Sequence, residues 1–190
     1  MLPQAVKAKG LIYSSSYGGN TVDYYFKGSG PNNPIAGALK GDFAAPQGIA
    51  VDQAGNVYVT NSNGQSVFVY AKGSKSPTLT LVDNNNFPVD VTVAPDGTVN
   101  VANGGGGASN VVVYRPGSSD PMETLTNGHF LPVVGVALDK QGNLFVSCDG
   151  GGVGAAMWWS FRRARRPERT CTSPSVRPAV SDSTAAVTCS

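Results

Sequence analysis

The chain holds one histidine, His129, and that sets the first limit on its chemistry. A Ser-His-Asp triad needs an imidazole base oriented by a carboxylate, and a structural zinc site needs several nitrogen or sulfur ligands. A single histidine makes both hard to build. Cys148, Cys171 and Cys189 are odd in number and lack C-x-x-C spacing, so they point to no metal and fix no compartment. Asp149 is the only acid in its loop, and a lone carboxylate lacks the neighbour that tunes a general acid or base. The glycine runs 104–107 and 150–152 are not followed by a helical pattern, which a phosphate-binding loop requires. These residues therefore assign no catalytic group, no metal ligand and no cofactor.

What remains is amide chemistry. Side-chain amides and glycines gather at 61–65, 85–86, 103–110 and 149–152, a composition that hydrogen-bonds a polar ligand while bringing little charge. The candidate ligand-contacting residues are Asn61, Asn63, Asn103, His129 and Asp149. Tight turns draw on the same residue types, because Asn and Gly tolerate left-handed backbone. His129 falls in a stretch, Gly128-His129-Phe130, that aligns with Gly41-Asp42-Phe43 and Asn85-Asn86-Phe87. In that alignment it is a linker residue and the phenylalanine is the packing residue.

The elements that carry these loops come from an internal repeat. Residues 21–29 (TVDYYFKGS) return as 66–74 (SVFVYAKGS) and as 110–118 (NVVVYRPGS). A second block, Gly48 to Asn61, returns as Asp90 to Asn103 and as Gly135 to Cys148, with Gly55, Gly97 and Gly142 at matching places. Each period contains four apolar runs too short for helices and bounded by turn residues. In the second period these are 48–52, 56–61, 66–72 and 78–82. Asp52-Gln53-Ala54-Gly55 and Ala94-Pro95-Asp96-Gly97 read as type I turns closed by glycine at positive φ. Four antiparallel strands in a period of this length make one β-propeller blade, whose faces are buried only by neighbouring blades. The expected class is all-β, with blades over residues 1–156. The chain starts inside a blade and forms an incomplete arc of about three and a half blades.

Pro46-Gln47-Gly48-Ile49-Ala50-Val51-Asp52 followed by Gly55-Asn56-Val57-Tyr58-Val59-Thr60-Asn61 resembles the NHL repeat, and Tyr58-Val59-Thr60-Asn61 spells the signature of the related YVTN repeats. The resemblance covers residues 9 to about 150. It implies a propeller and leaves the function open, because such propellers include protein- and RNA-binding scaffolds, lactonases and lyases. Calcium-dependent lactonase-like relatives place Asn or Asp beside the glycine that opens the innermost strand. Here those positions hold Gln47, Val89 and the pair Val133-Val134, and valine cannot ligate a hard cation. The expectation is a non-enzymatic scaffold for a protein or a small polar ligand. The alternative is a lactonase- or lyase-like enzyme whose catalytic residues lie in other blades.

Charge narrows the partners. Up to Ala156 there are eight Lys and Arg against ten Asp and Glu, and beyond it six Arg against Glu168 and Asp182. A weakly acidic body lacks the clustered cations that phosphate binding needs, so nucleic acid is not an expected partner. No apolar run is long enough to cross a membrane as a helix. The first residues, Met1 to Lys7, carry no apolar core of a secretory signal, although low charge and abundant Asn, Gly, Ser and Thr suit a bacterial extracytoplasmic parent. Unpaired blade edges and apolar blade faces at the ends of the arc lead to self-association.

Residues 157–190 break the pattern. After Gly142 to Cys148 a third strand is due, and the chain instead reads Met157-Trp158-Trp159-Ser160-Phe161-Arg162-Arg163. Met and Trp have single codons, and ATG-TGG-TGG read two bases later encodes Val-Val, the start of the missing strand. The segment is accordingly read as out-of-frame, poorly packed and without function, because natural sequences stay locally consistent with their fold. A genuine arginine-rich tail for an acidic partner is the competing reading.

Overall fold

The computed structural model describes residues 10–28, 34–105, 109–126, 132–149 and, for the backbone alone, 157–161. Within them the chain forms four antiparallel sheets, each a meander in chain order. The first sheet contains β1 (Leu11–Ser16), β2 (Thr21–Phe26) and β3 (Gly37–Ala38). The second contains β4 (Pro46–Val51), β5 (Val57–Asn61), β6 (Ser66–Tyr70) and β7 (Leu79–Val82). The third contains β8 (Pro88–Val93), β9 (Val99–Asn103), β10 (Asn110–Tyr114) and β11 (Pro121–Leu125), and the fourth β12 (Val133–Leu138), β13 (Leu144–Cys148) and β14 (Met157–Phe161). The fold is all-β, its sheets are propeller blades, and among the described residues they do not close a ring.

Local chemistry starts and ends these strands. Gly55, Gly97 and Gly142 take φ of 89°, 85° and 82°, and in the first of these turns the Gly55 N–H donates to the Asp52 carbonyl at 3.0 Å. The Asp52 carboxylate accepts from the Asn56 backbone and side-chain N–H groups, both at 2.8 Å. Asp139 repeats the arrangement with Asn143. The strand that follows leaves the turn in fixed register, Val51 opposite Val57 and Leu138 opposite Leu144.

The core lies between sheets rather than within them. Val22, Tyr24 and Leu39 of the first blade meet Val57, Val59 and Tyr70 of the second. Tyr58, Val67, Val69 and Leu81 then meet Val91, Val99, Val101, Val112 and Tyr114 of the third. Ala102 and Val111 meet Val133, Val136, Leu144, Val146 and Cys148 of the fourth. Alternation along one strand thus serves two neighbours: Val67 and Val69 pack forward, and Tyr70 packs back. Strands covered on both faces read as continuous apolar runs, and β5, β9 and β10 are buried at every residue. Burying each such valine is worth about 1.5–3 kcal/mol. Tyr70 and Tyr114 also clamp the junctions, donating their hydroxyls to the preceding blade's Lys40 carbonyl at 3.0 Å and Val82 carbonyl at 2.8 Å.

Past the expected blade boundary at residue 156, the backbone of β14 pairs with β13 from Cys148↔Met157 to Leu144↔Phe161. That register repeats Asn61↔Ser66 to Val57↔Tyr70 in the second blade. A strand edge offers N–H and C=O groups to any segment that can extend, and Trp and Phe are good strand residues. The rest of the expected tail, 162–190, lies outside the described residues. The linker phenylalanines are also not equivalent. The residue bonded to the amide just after the second strand is Ala45 in one linker, Phe87 in the next and Pro132 in the last. Phe43 instead packs edge-on to Phe68 at 5.6 Å.

Candidate ligand-binding face

The two ends of the blades are built differently. All the described glycines at positive φ, namely Gly28, Gly55, Gly73, Gly97, Gly117 and Gly142, lie in turns joining β2–β3, β4–β5, β6–β7, β8–β9, β10–β11 and β12–β13. These turns share one end. The opposite end carries the β1–β2, β5–β6 and β9–β10 loops and the linkers between blades. There the left-handed positions are held by Asn20, Ala45, Gln65 and Asn85, with φ between 49° and 64°. A side chain in that conformation is strained relative to glycine unless hydrogen bonds hold it.

Those bonds are present. Asn20 Oδ1 accepts from the Ala45 N–H at 2.8 Å. The Gln65 carbonyl accepts from Asp83 N–H at 3.0 Å, and Gln65 Oε1 accepts from Asn85 N–H at 3.0 Å. The β5–β6 loop and the 83–87 linker are thereby tied into one surface. Asn63, Gly64, Gln65, Asn84 and Asn85 are exposed on it. The side chains of Asn63, Gln65, Asn84 and Asn85 offer amide donors and acceptors on a braced backbone and bring no net charge.

The candidate residues separate on this face. Asn63 and Asp149 are exposed. Asn61 is 2% exposed, and Asn103 is fully buried. Asn61 Oδ1 accepts from Ala44 N–H at 2.6 Å and its Nδ2 donates to the Asp42 carbonyl at 3.3 Å. Asn103 Nδ2 donates to Asn110 Oδ1 at 2.9 Å. Asn61 and Asn103 therefore lie beneath the face, Asn61 bonded to the linker that folds over the end of the second strand and Asn103 to Asn110 at the start of the third. His129 lies outside the described residues.

Three positions that sequence reasoning passed over prove structural too. Ser62 is fully buried and stitches adjacent blades, accepting from Gln47 Nε2 at 2.7 Å and donating to the Pro88 carbonyl at 2.6 Å. Asp90 stands on innermost β8 where the repeat has Gly48 and Gly135. Its Oδ1 accepts from Val91 N–H and its Oδ2 from Val136 N–H of the next blade, both at 2.9 Å. Desolvation raises the Asp90 carboxyl, and these two bonds oppose the rise. Its neighbour on β9 compensates: Ala102 replaces the hydroxyl by which Thr60 accepts from Gly48 N–H at 2.7 Å and Ser147 donates to the Gly135 carbonyl at 3.3 Å. The visible signal was an acid in a glycine column of the repeat. Asp83, buried in the linker below Asn84 and Asn85, is the third.

Residues 43–70 match the family model of the NHL repeat. The fold is similar to that of a Kuenenia stuttgartiensis hydrazine synthase chain, with a TM-score of 0.68 and 20% identity, covering 79% of this chain. This chain spans only 42% of that one, and at such identity the likeness concerns the fold alone. No curated protein matches the sequence.

Proposed function

We infer that this chain, an NHL-repeat β-propeller by its repeat and architecture, is a non-enzymatic scaffold that binds a neutral, polar partner. That partner is a small hydrogen-bonding molecule or the main chain of a protein. The observation that carries the reading is the asymmetry of the two ends. Left-handed turn positions are glycine at one end and bear side chains at the other, where Asn63, Gln65, Asn84 and Asn85 stand exposed. Glycine would make the same turns without strain; here Asn20 and Gln65 brace the loops through hydrogen bonds, and the amides of Asn63 and Asn84 stand exposed beside them.

Immobilised protein should retain a binder whose affinity falls about tenfold or more on Asn63→Lys or Asn84→Lys, because each buries an unpaired charge against a neutral partner, an effect above the 1.4 kcal/mol of one decade. Gln53→Lys, an exposed position in a turn at the other end, should leave binding unchanged. Binding indifferent to Asn63 and Asn84 would remove this face from consideration. Lactone hydrolysis abolished by a calcium chelator would replace the scaffold reading with the enzymatic one.

A further inference from the structure

Two fully enclosed oxygens at the junction of the second and third blades have no hydrogen-bond partner, Asp83 Oδ2 and Asn103 Oδ1. Their residues are 1% and 0% exposed. A buried acceptor without a partner is destabilising, so each needs a physical account.

These oxygens sit at the two ends of a single donor chain. Asn103 Nδ2 donates to Asn110 Oδ1 at 2.9 Å, Asn110 Nδ2 to Asn86 Oδ1 at 3.0 Å, and Asn86 Nδ2 to Asp83 Oδ1 at 2.7 Å. Every bond runs the same way round, and the side chains of Asn103 and Asp83 interact directly. One hydrogen on Asp83 Oδ2, donated to Asn103 Oδ1, satisfies both orphans and closes the chain. A hard cation would want about six to eight oxygens, and the orphans supply two.

We propose that Asp83 is a proton-binding site, whose protonation closes a ring with Asn103, Asn110 and Asn86 and latches the 83–87 linker onto the third blade. The first blade junction is built differently: there Asn61 Oδ1 is satisfied by the Ala44 N–H. The groups facing the Asp83 carboxyl are Asn86 of its own linker, Asn103 of β9 and Tyr114 of β10. Desolvation raises the carboxyl above its ordinary value, and the polar side chains of Asn86, Asn103 and Tyr114 beside it oppose the rise without cancelling it. Tyr114 is the titratable neighbour and is itself raised, by desolvation first and by Asp83 second, so it stays neutral while Asp83 titrates.

The sign is opposite to that of most carboxylates. A folded-state value above the unfolded one means that folding takes up a proton. The stabilisation is complete below the unfolded value and is lost as pH rises through the folded one. Above it the ring opens, and the linker beneath Asn84 and Asn85 loses its latch. This holds whether or not that face binds a ligand.

The test uses the full chain. With carbon-13 in aspartate side chains, the Asp83 carboxyl resonance should titrate above the ordinary aspartate value. Asp83→Asn places an N–H where the proton would be and leaves an acceptor for Asn86. At pH above the Asp83 titration it should raise the melting temperature by about 2–4 °C, the change expected for one added buried hydrogen bond in a chain of this size. It should also remove the fall in stability across that titration. A resonance at or below the ordinary value, or an Asp83→Asn variant that melts lower than the parent above the Asp83 titration, overturns the proposal.

Discussion

The junction tyrosines allow a test with a control built into the repeat. Tyr25, Tyr70 and Tyr114 occupy the same position in three successive blades. Tyr70 and Tyr114 are completely buried and bond the Lys40 and Val82 carbonyls of the preceding blade. Tyr25 pairs with Ile12 on the face of the first sheet turned away from Val22 and Tyr24, where no blade precedes it among the described residues. Tyr70→Phe keeps the ring and removes only the hydroxyl. Lys40 is exposed, so its carbonyl regains water, and the loss should be a net hydrogen bond of about 0.5–1.5 kcal/mol rather than the larger penalty of an orphaned group. For a chain of this length that lowers the melting temperature by roughly 1–6 °C. Tyr25→Phe should stay within about ±0.5 kcal/mol. Tyr114→Phe should exceed Tyr70→Phe, because it also removes a polar group beside the buried Asp83 carboxyl. Calorimetry or circular dichroism melts of the three variants decide the matter. Equal effects at Tyr25 and Tyr70, or none at Tyr70, would refute the claim that these hydroxyls clamp blades together.

Asn61→Ala should cost about 1–3 kcal/mol in denaturant unfolding, since it leaves the Ala44 N–H without its acceptor, and it should alter ligand affinity no more than it alters stability. Gly104→Ala should destabilise by about 1–3 kcal/mol, because the new methyl meets the Val133 backbone carbonyl. Gly18→Ala, which meets nothing within 4 Å, should be near neutral in the same melts. Burial pushes the Asp52 carboxyl upward, but bonds from Asn56, Gly55 and Tyr58 outweigh it and hold the group below its ordinary value. Folding therefore releases a proton at Asp52, and its stabilisation exists above the unfolded value and is lost as pH falls through the folded one. Asp52→Asn should flatten the acid limb of the stability profile measured by urea titration, leaving the loss of stability across the Asp83 titration unchanged.

The sequence by itself determined the blades. Strand alternation, a glycine closing each tight turn and a return every forty-odd residues are local or periodic signals, and they placed the strands of the second period within two residues of β4, β5, β6 and β7. Glycine at 55, 97 and 142 was readable because positive φ excludes most side chains whatever surrounds them. The tertiary structure alone decided what each amide does. Asn61 and Asn63 are neighbours of the same type in one loop, yet the linker folds over the first and leaves the second in water. No local pattern encodes that difference, because the covering residues, Asp42 and Ala44, arrive from the linker before the blade. Asp83 and Asp90 are the same case: their carboxylates are explained by groups on a neighbouring blade, Asn103 for one and Val136 for the other. The strand at Met157–Phe161 escaped for a different reason. An open edge recruits backbone, and backbone hydrogen bonds are blind to the side-chain pattern on which sequence reading depends.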